Sequence, residues 1–279
     1  MGVQEYFKPL SVWTADEVRR FLKDKHQNEY CLLDVRRPAE YGGAHLPGAR
    51  LVPVDELPDR LGELDPAKPV ITYCASGMRS RAAAAFLLNA DFKEVHTLEG
   101  GMKAWHGLVA QGAPEAGMAY FSPASRTEEL IALAWLLEEG SRKFYSALSS
   151  AMRDEEAAVM FSALAAAEEH HKSSLLQLYK TYSGKESDPG FPDPVLPGVP
   201  AGDVMEGGIR VSEALQWAEG RDIRDILELS ISLETNSYDL YLKMERAVKD
   251  GSSAAVFRTL ADEEKVHLDR LTGLFEKRL

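Results

Sequence analysis

Displacing the chain by 96 residues against itself superposes Glu138 on Glu234, Tyr145 on Tyr241, Phe161 on Phe257, Glu168 on Glu264 and His171 on His267. Leu164, Leu175 and Leu178 fall on Leu260, Leu271 and Leu274 at the same offset. The repeated unit is one helix bearing a Glu, then a second bearing Glu-x-x-His. Two copies give four helices with four carboxylates and two imidazoles. That is the ligand set of a carboxylate-bridged di-metal site in a four-helix bundle.

The apolar pattern points these residues inward. In the second helix Phe161, Leu164, Glu168, His171, Leu175 and Leu178 follow one another in steps of three and four, which keeps them on one face. Phe257 to Leu274 repeats the pattern in the fourth helix. Ile131, Ala134, Glu138, Ser141, Tyr145 and Leu148 form the stripe of the first, and Ile231, Glu234, Ser237 (or Tyr238), Tyr241 and Met244 that of the third. A buried carboxylate without a partner costs several kcal/mol or neutralises itself. Cations between four such groups remove both problems, with an imidazole nitrogen completing each coordination sphere. Tyr145 and Tyr241, two turns beyond Glu138 and Glu234, are expected to donate hydroxyl hydrogen bonds to ligating carboxylates on neighbouring helices. Glu139, Glu169, His170 and Glu263 sit off the stripe and are expected to face solvent.

Residues from about 126 to the end resemble the erythrin part of the rubrerythrin and ferritin-like family. The resemblance is carried by the segment from Glu138 to Tyr145 and by the Glu-x-x-His endings. It implies an all-α ferritin-like four-helix bundle holding two iron ions per chain, with manganese or zinc as alternative occupants. The implied ligands are Glu138, Glu168, His171, Glu234, Glu264 and His267. It also implies chemistry on peroxide or oxygen, an external electron donor and a homodimer. Two departures stand out. Rubrerythrins add a rubredoxin-type iron held by four Cys, whereas this chain has only Cys31 and Cys74. They also tend to carry an extra carboxylate one turn after the third-helix ligand, where this chain has Ser237.

Residues 1–112 read as alternating strand and helix. Tyr30 to Val35, Val70 to Tyr73 and Val95 to Leu98 are short apolar runs suited to a buried parallel sheet. Thr14 to Lys25 and Arg79 to Asn89 have helical composition. Cys74, Ala75, Ser76, Gly77, Met78 and Arg79 therefore sit where a strand ends and a helix begins, the usual ligand position of an open α/β sheet. Free N–H groups at such a helix start favour an anion and lower a thiol pKa. Arg79 adds donors for an oxyanion. Cys31, inside an apolar run, reads as an inert core residue.

This half resembles the rhodanese family over most of its length. The matching pieces are Leu33-Asp34-Val35-Arg36, Tyr41 followed by His45 to Ala49, the Cys74–Arg79 loop and Glu99 to Trp105. The loop resembles that of sulfurtransferases; related phosphatases have one residue more. The resemblance implies a thiosulfate-type sulfurtransferase in which the Cys74 thiolate takes sulfur from a sulfane-sulfur donor. The Cys74 persulfide then passes that sulfur to a thiol or other acceptor, while Asp34 and Arg36 hold the scaffold.

Two domains are expected at 279 residues: 1–112, a linker over 113–125, and 126–279 with a crossover at 183–211 between the helical repeats. Residues 1–112 carry 14 Lys+Arg against 15 Asp+Glu and the remainder 18 against 29, so the net charge of −12 lies almost wholly in the helical half. No basic patch suggests nucleic acid. No segment approaches the roughly 20 apolar residues of a membrane span. The start of the chain lacks signal-peptide features, and two cysteines fit a reducing cytoplasm. The expected whole is a sulfurtransferase fused to a non-haem di-iron oxidoreductase acting on peroxide or oxygen. The alternative is a rhodanese enzyme or persulfide carrier with a redox-inert metal-binding or dimerisation module.

Overall fold

The structure is a computed structural model that describes residues 10–111, 127–184, 191–192, 195, 204–205, 209–248 and 251–278. The chain forms two compact units, Met1–Pro114 and Glu115–Leu279. The expected linker at 113–125 lies outside the described residues.

The first unit is a five-stranded parallel sheet in the order β1-β5-β4-β2-β3. Its elements are β1 (Ser11–Trp13), α1 (Ala15–Asp24), β2 (Cys31–Asp34), α2 (Pro38–Gly43), β3 (Arg50–Leu51), β4 (Val70–Tyr73), α3 (Met78–Asn89) and β5 (Val95–Leu98). The three apolar runs are strands β2, β4 and β5. Strands β1 and β3, with three and two residues, are too short for a periodic signal. A capping box starts α1: Thr14 Oγ1 accepts from the Glu17 N–H, and the Thr14 N–H donates back to the Glu17 carboxylate at 2.8 Å. All four residues of β4, the central strand, are buried. Placing a loop at the end of that strand fixes it from both sides.

The second unit is helical: α4 (Thr127–Ala151), α5 (Glu155–Ser183), α6 (Val211–Ala218), α7 (Ile223–Ala247) and α8 (Gly251–Glu276). The helix pairs α4–α5 and α7–α8 are the two copies of the repeat. Asp154 starts α5 by accepting from the Ala157 N–H at 2.9 Å and also binds Arg278, which ties the start of α5 to the end of α8. Among the described residues, no helix is long and apolar enough to cross a membrane.

The expected crossover falls largely outside the described residues, but its described parts dock on the bundle. Phe191 packs edge-on against Trp135 and beside Tyr179. Met205 is fully buried, and α6 turns Val211, Ala214 and Ala218 into the core. The short helix α6 follows the crossover and was not expected.

Gly140, inside α4, shows how closely the crossover approaches. A Cβ there would stand 2.2 Å from the Val204 carbonyl oxygen, whereas a Cβ at Gly273 of α8 meets nothing within 4 Å. Ordinary helix Gly→Ala changes stabilise by up to about 1 kcal/mol. Gly273→Ala should follow that rule, whereas Gly140→Ala should destabilise by about 1–3 kcal/mol through overpacking. Equal shifts in urea midpoint for the two variants would contradict this docking.

Candidate persulfide loop and metal centre

Cys74 follows β4 directly and is buried. Gly77 caps α3 with φ +97°, a left-handed conformation suited to glycine, and its N–H donates to Cys74 Sγ at 3.1 Å. Burial alone would raise the thiol pKa. The N–H groups of Ser80, Ser76 and Gly77, with the Ser80 hydroxyl, outweigh it and hold the pKa below the ordinary value. Met78, in contrast, is 81% exposed.

The loop is supported from behind by a 3-10 helix, Gly101–Ala104. The Met102 N–H donates to the Cys74 carbonyl at 2.8 Å and the Lys103 N–H to that of Ala75 at 3.1 Å. Gly101 has φ +59°, and a Cβ would lie 2.2 Å from the Cys74 oxygen. This contact is the physical content of the Glu99-to-Trp105 motif. Ser80, buried in α3, donates to the Gly77 carbonyl and accepts from Thr97, which locks the start of the helix.

Asp34 and Arg36 form a buried ion pair, and Arg36 Nη2 also donates to the Ala44 carbonyl at 2.7 Å. They stabilise the scaffold, in keeping with the sequence. Cys31 is half-buried on β2. Arg79 has a partner that the sequence did not reveal: both of its terminal nitrogens donate to the Glu40 carboxylate at 2.7 Å. This pairing holds the Glu40 carboxyl at about 2.

In the second unit Glu138 comes from α4, Glu168 and His171 from α5, Glu234 from α7, and Glu264 and His267 from α8. All six are buried. Their donor atoms fall into two groups, Glu138, Glu168, His171 and Glu264, and Glu168, Glu234 and His267, with Glu168 in both. The arrangement is nearly two-fold. His171 Nδ1 lies 3.2 Å from Glu138 and His267 Nδ1 lies 3.0 Å from Glu234, with ring centroids 5.4 Å apart. Tyr145 donates to Glu234 and Tyr241 to Glu138, each reaching the other half of the repeat.

The donor set fits a pair of metal ions on a direct test. Glu168 Oε2 and Glu264 Oε2 are buried and accept no hydrogen bond, although His171 Nδ1 and His267 Nδ1 lie 3.0 and 3.3 Å away. Unsatisfied carboxylate oxygens are costly to bury, and a cation between them removes the cost. Burial and the neighbouring carboxylate, Glu138 for Glu168 and Glu234 for Glu264, push both groups well above the usual carboxylate range. Ser237, at the place of the extra carboxylate, is buried, and its Oγ also lacks a hydrogen-bond partner.

Two expectations require correction. Glu139 is not solvent-facing: it is buried and paired with Lys172 at 2.6 Å and Arg142 at 2.8 Å. Those cations hold its carboxyl at about 2 against the opposing pull of burial. Glu263 is half-buried and reaches His171 Nε2 at 2.8 Å. Glu169 and His170 are exposed, as expected. The residue matching Glu263 in the first repeat is Ala167, so the two-fold relation breaks at the outer edge of the histidines. A cleft of about 200 Å³ lined by Ala167, Glu263, Val266 and Arg270 reaches both imidazoles.

The thiolate is the reactive form of Cys74, and its fraction rises as pH passes the pKa. Because that pKa is depressed, alkylation of Cys74 by iodoacetamide should accelerate with a midpoint below about 8.5, the free-thiol value. A midpoint at or above that value would show that the loop amides do not outweigh burial of the sulfur.

Comparison with known proteins finds a family match for each unit. The family model described as Rhodanese-like domain matches residues 14–108, and that described as Rubrerythrin matches 129–200 and 225–278. An uncharacterized protein, YqhL, of Bacillus subtilis is 41% identical over 78 residues, a match covering 28% of this chain and 62% of that protein. A sulfurtransferase of Allochromatium vinosum is 39% identical over 79 residues, covering 28% of this chain and 74% of that one. Among solved structures, a rhodanese-like domain protein from Staphylococcus aureus matches at 27% identity and TM-score 0.34, covering 37% of this chain and 100% of that one. The chain thus belongs to the rhodanese-like family through its first unit and carries a rubrerythrin domain in its second.

Proposed function

We propose that the first unit is a sulfurtransferase that carries sulfur as a Cys74 persulfide, and that the second is a non-haem di-iron oxidoreductase acting on peroxide or oxygen. The sulfur half is supported chiefly by the Gly77 N–H directed at Cys74 Sγ, at the start of a helix after the central strand. The Cys74 thiolate attacks the outer sulfur of a sulfane donor. The sulfur–sulfur bond of the donor breaks, and the leaving group departs with the electron pair. An acceptor thiolate then attacks the outer sulfur of the persulfide, takes it, and restores the Cys74 thiolate. The loop amides hold the negative charge at each stage.

The iron half is supported by the buried, doubly repeated donor set with its orphaned oxygens. Glu138, Glu168, His171 and Glu264 would hold one ion, and Glu168, Glu234 and His267 the other. Bound iron would supply the electrons that reduce peroxide or oxygen. Tyr145 and Tyr241 orient Glu234 and Glu138, and Glu263 fixes the outer nitrogen of His171. The cleft beside Ala167 gives a small oxidant access to the histidine side of the site. A sulfane-sulfur donor, a thiol acceptor and an external electron donor are the partners this reading requires, and the cytoplasm is its compartment.

The fused architecture further suggests that sulfur held at Cys74 feeds the iron site. Cys74→Ser should reduce sulfur transfer to the uncatalysed background and should also abolish peroxide consumption that depends on a sulfane donor. Sulfur transfer that survives the substitution would overturn the persulfide step. Unchanged peroxide consumption would overturn the coupling alone.

A further inference from the structure

We propose that Glu40 sets the charge preference of the Cys74 site, making it selective for sulfane-sulfur donors of low negative charge, perthiols R–S–SH, over the thiosulfate dianion. This inference rests on the sulfurtransferase reading of the first unit. The observation behind it is the fate of Arg79, the cation next to the loop. Both of its terminal nitrogens donate to the two oxygens of Glu40 at 2.7 Å. The pair is about one-third exposed, so an incoming donor meets it, and Arg79 is the second residue of α3, directly after the loop that holds Cys74.

Glu40 is not free to swing away. It is the third residue of α2, after Pro38, and its carboxylate also accepts the Arg37 N–H at 3.2 Å. Arg36 offers no substitute, because its guanidinium is committed to Asp34 and the Ala44 carbonyl. The start of α3 offers an anion its loop amides, of which the Gly77 N–H already points at the Cys74 sulfur. A thiosulfate dianion would bring two charges beside the Glu40 carboxylate, and its sulfonate would compete with that carboxylate for the same guanidinium fork.

The two donors react by balanced steps. With a perthiol, the Cys74 thiolate attacks the outer sulfur, the S–S bond breaks, R–S⁻ leaves with the electron pair, and Cys74–S–SH forms. With thiosulfate, the same attack expels sulfite with the electron pair and leaves Cys74–S–S⁻. The first leaving group carries one charge away from Glu40 and the second carries two. The difference lies in binding and departure of the donor, not in the bond that forms.

The test compares cysteamine persulfide and thiosulfate as donors to a thiol acceptor, using full-length wild type, Glu40→Gln and Cys74→Ser. Wild type should favour the perthiol in kcat/KM. Glu40→Gln should raise kcat/KM for thiosulfate by about tenfold, mainly through KM, and leave the perthiol nearly unchanged. An unchanged donor ratio in a folded Glu40→Gln protein, or an equal loss with both donors, would overturn the proposal. Wild type supplies a second measurement that needs no variant to fold: added salt should raise its thiosulfate rate by screening repulsion, and a fall with salt would overturn the proposal. If wild type moves sulfur from neither donor, the sulfurtransferase reading itself fails. Transfer that persists in Cys74→Ser has the same meaning.

Discussion

Four carboxylates converging on one apolar core are the constraint around which the helical unit is organised. Glu138, Glu168, Glu234 and Glu264 are all buried, and like charges in a low-dielectric interior repel strongly. The chain answers with two imidazoles, two tyrosine hydroxyls and a symmetric arrangement in which each half of the repeat hydrogen-bonds the other. Protons alone leave Glu168 and Glu264 far from their ordinary ionisation. Two divalent cations would balance four ionised carboxylates with both histidines neutral. The repeat in the sequence is thus the trace of an electrostatic requirement, and leucines and phenylalanines flank the site along each helix, leaving the cleft at the histidine side open.

The first unit handles a single negative charge by other means. Backbone amides at the start of α3, with the Ser80 hydroxyl, hold the Cys74 thiol below its ordinary pKa against the opposing effect of burial. Holding those amides in place needs support from behind, which Met102 and Lys103 provide by donating to the Cys74 and Ala75 carbonyls. Gly101 permits that approach, and Ser80 fixes the first turn of the helix. Both units therefore prearrange polar groups around charge in a dry setting, one for metal ions and one for a sulfur anion.

Much of this was legible in the sequence because periodicity and offset encode it directly. Glu168, His171, Glu264 and His267 interrupt apolar stripes at helical spacing, which singled them out without any structure. The buried strands β2, β4 and β5 were visible as apolar runs. Pairings between distant residues left no such trace: nothing in the sequence links Glu40 to Arg79, which are 39 positions apart and on different helices. Glu139 was misplaced because the buried surface of α4 is wider than one stripe, and Lys172 of the adjacent helix supplies its counter-charge. Glu263 was assigned to solvent because its partner is a ring nitrogen that spacing says nothing about. The docking of α6 and Met205 depends on tertiary contact, and a glycine inside a helix, Gly140, was its one local sign.

The most direct test of the metal centre is an anaerobic titration of the metal-free chain with ferrous iron, followed by bound iron per chain and by thermal stability. The account predicts saturation at about two irons per chain with a rise in melting temperature, and loss of both in Glu168→Ala, which removes the carboxylate common to the two donor groups. Saturation at one iron or none, or a wild-type stability indifferent to iron, would contradict it.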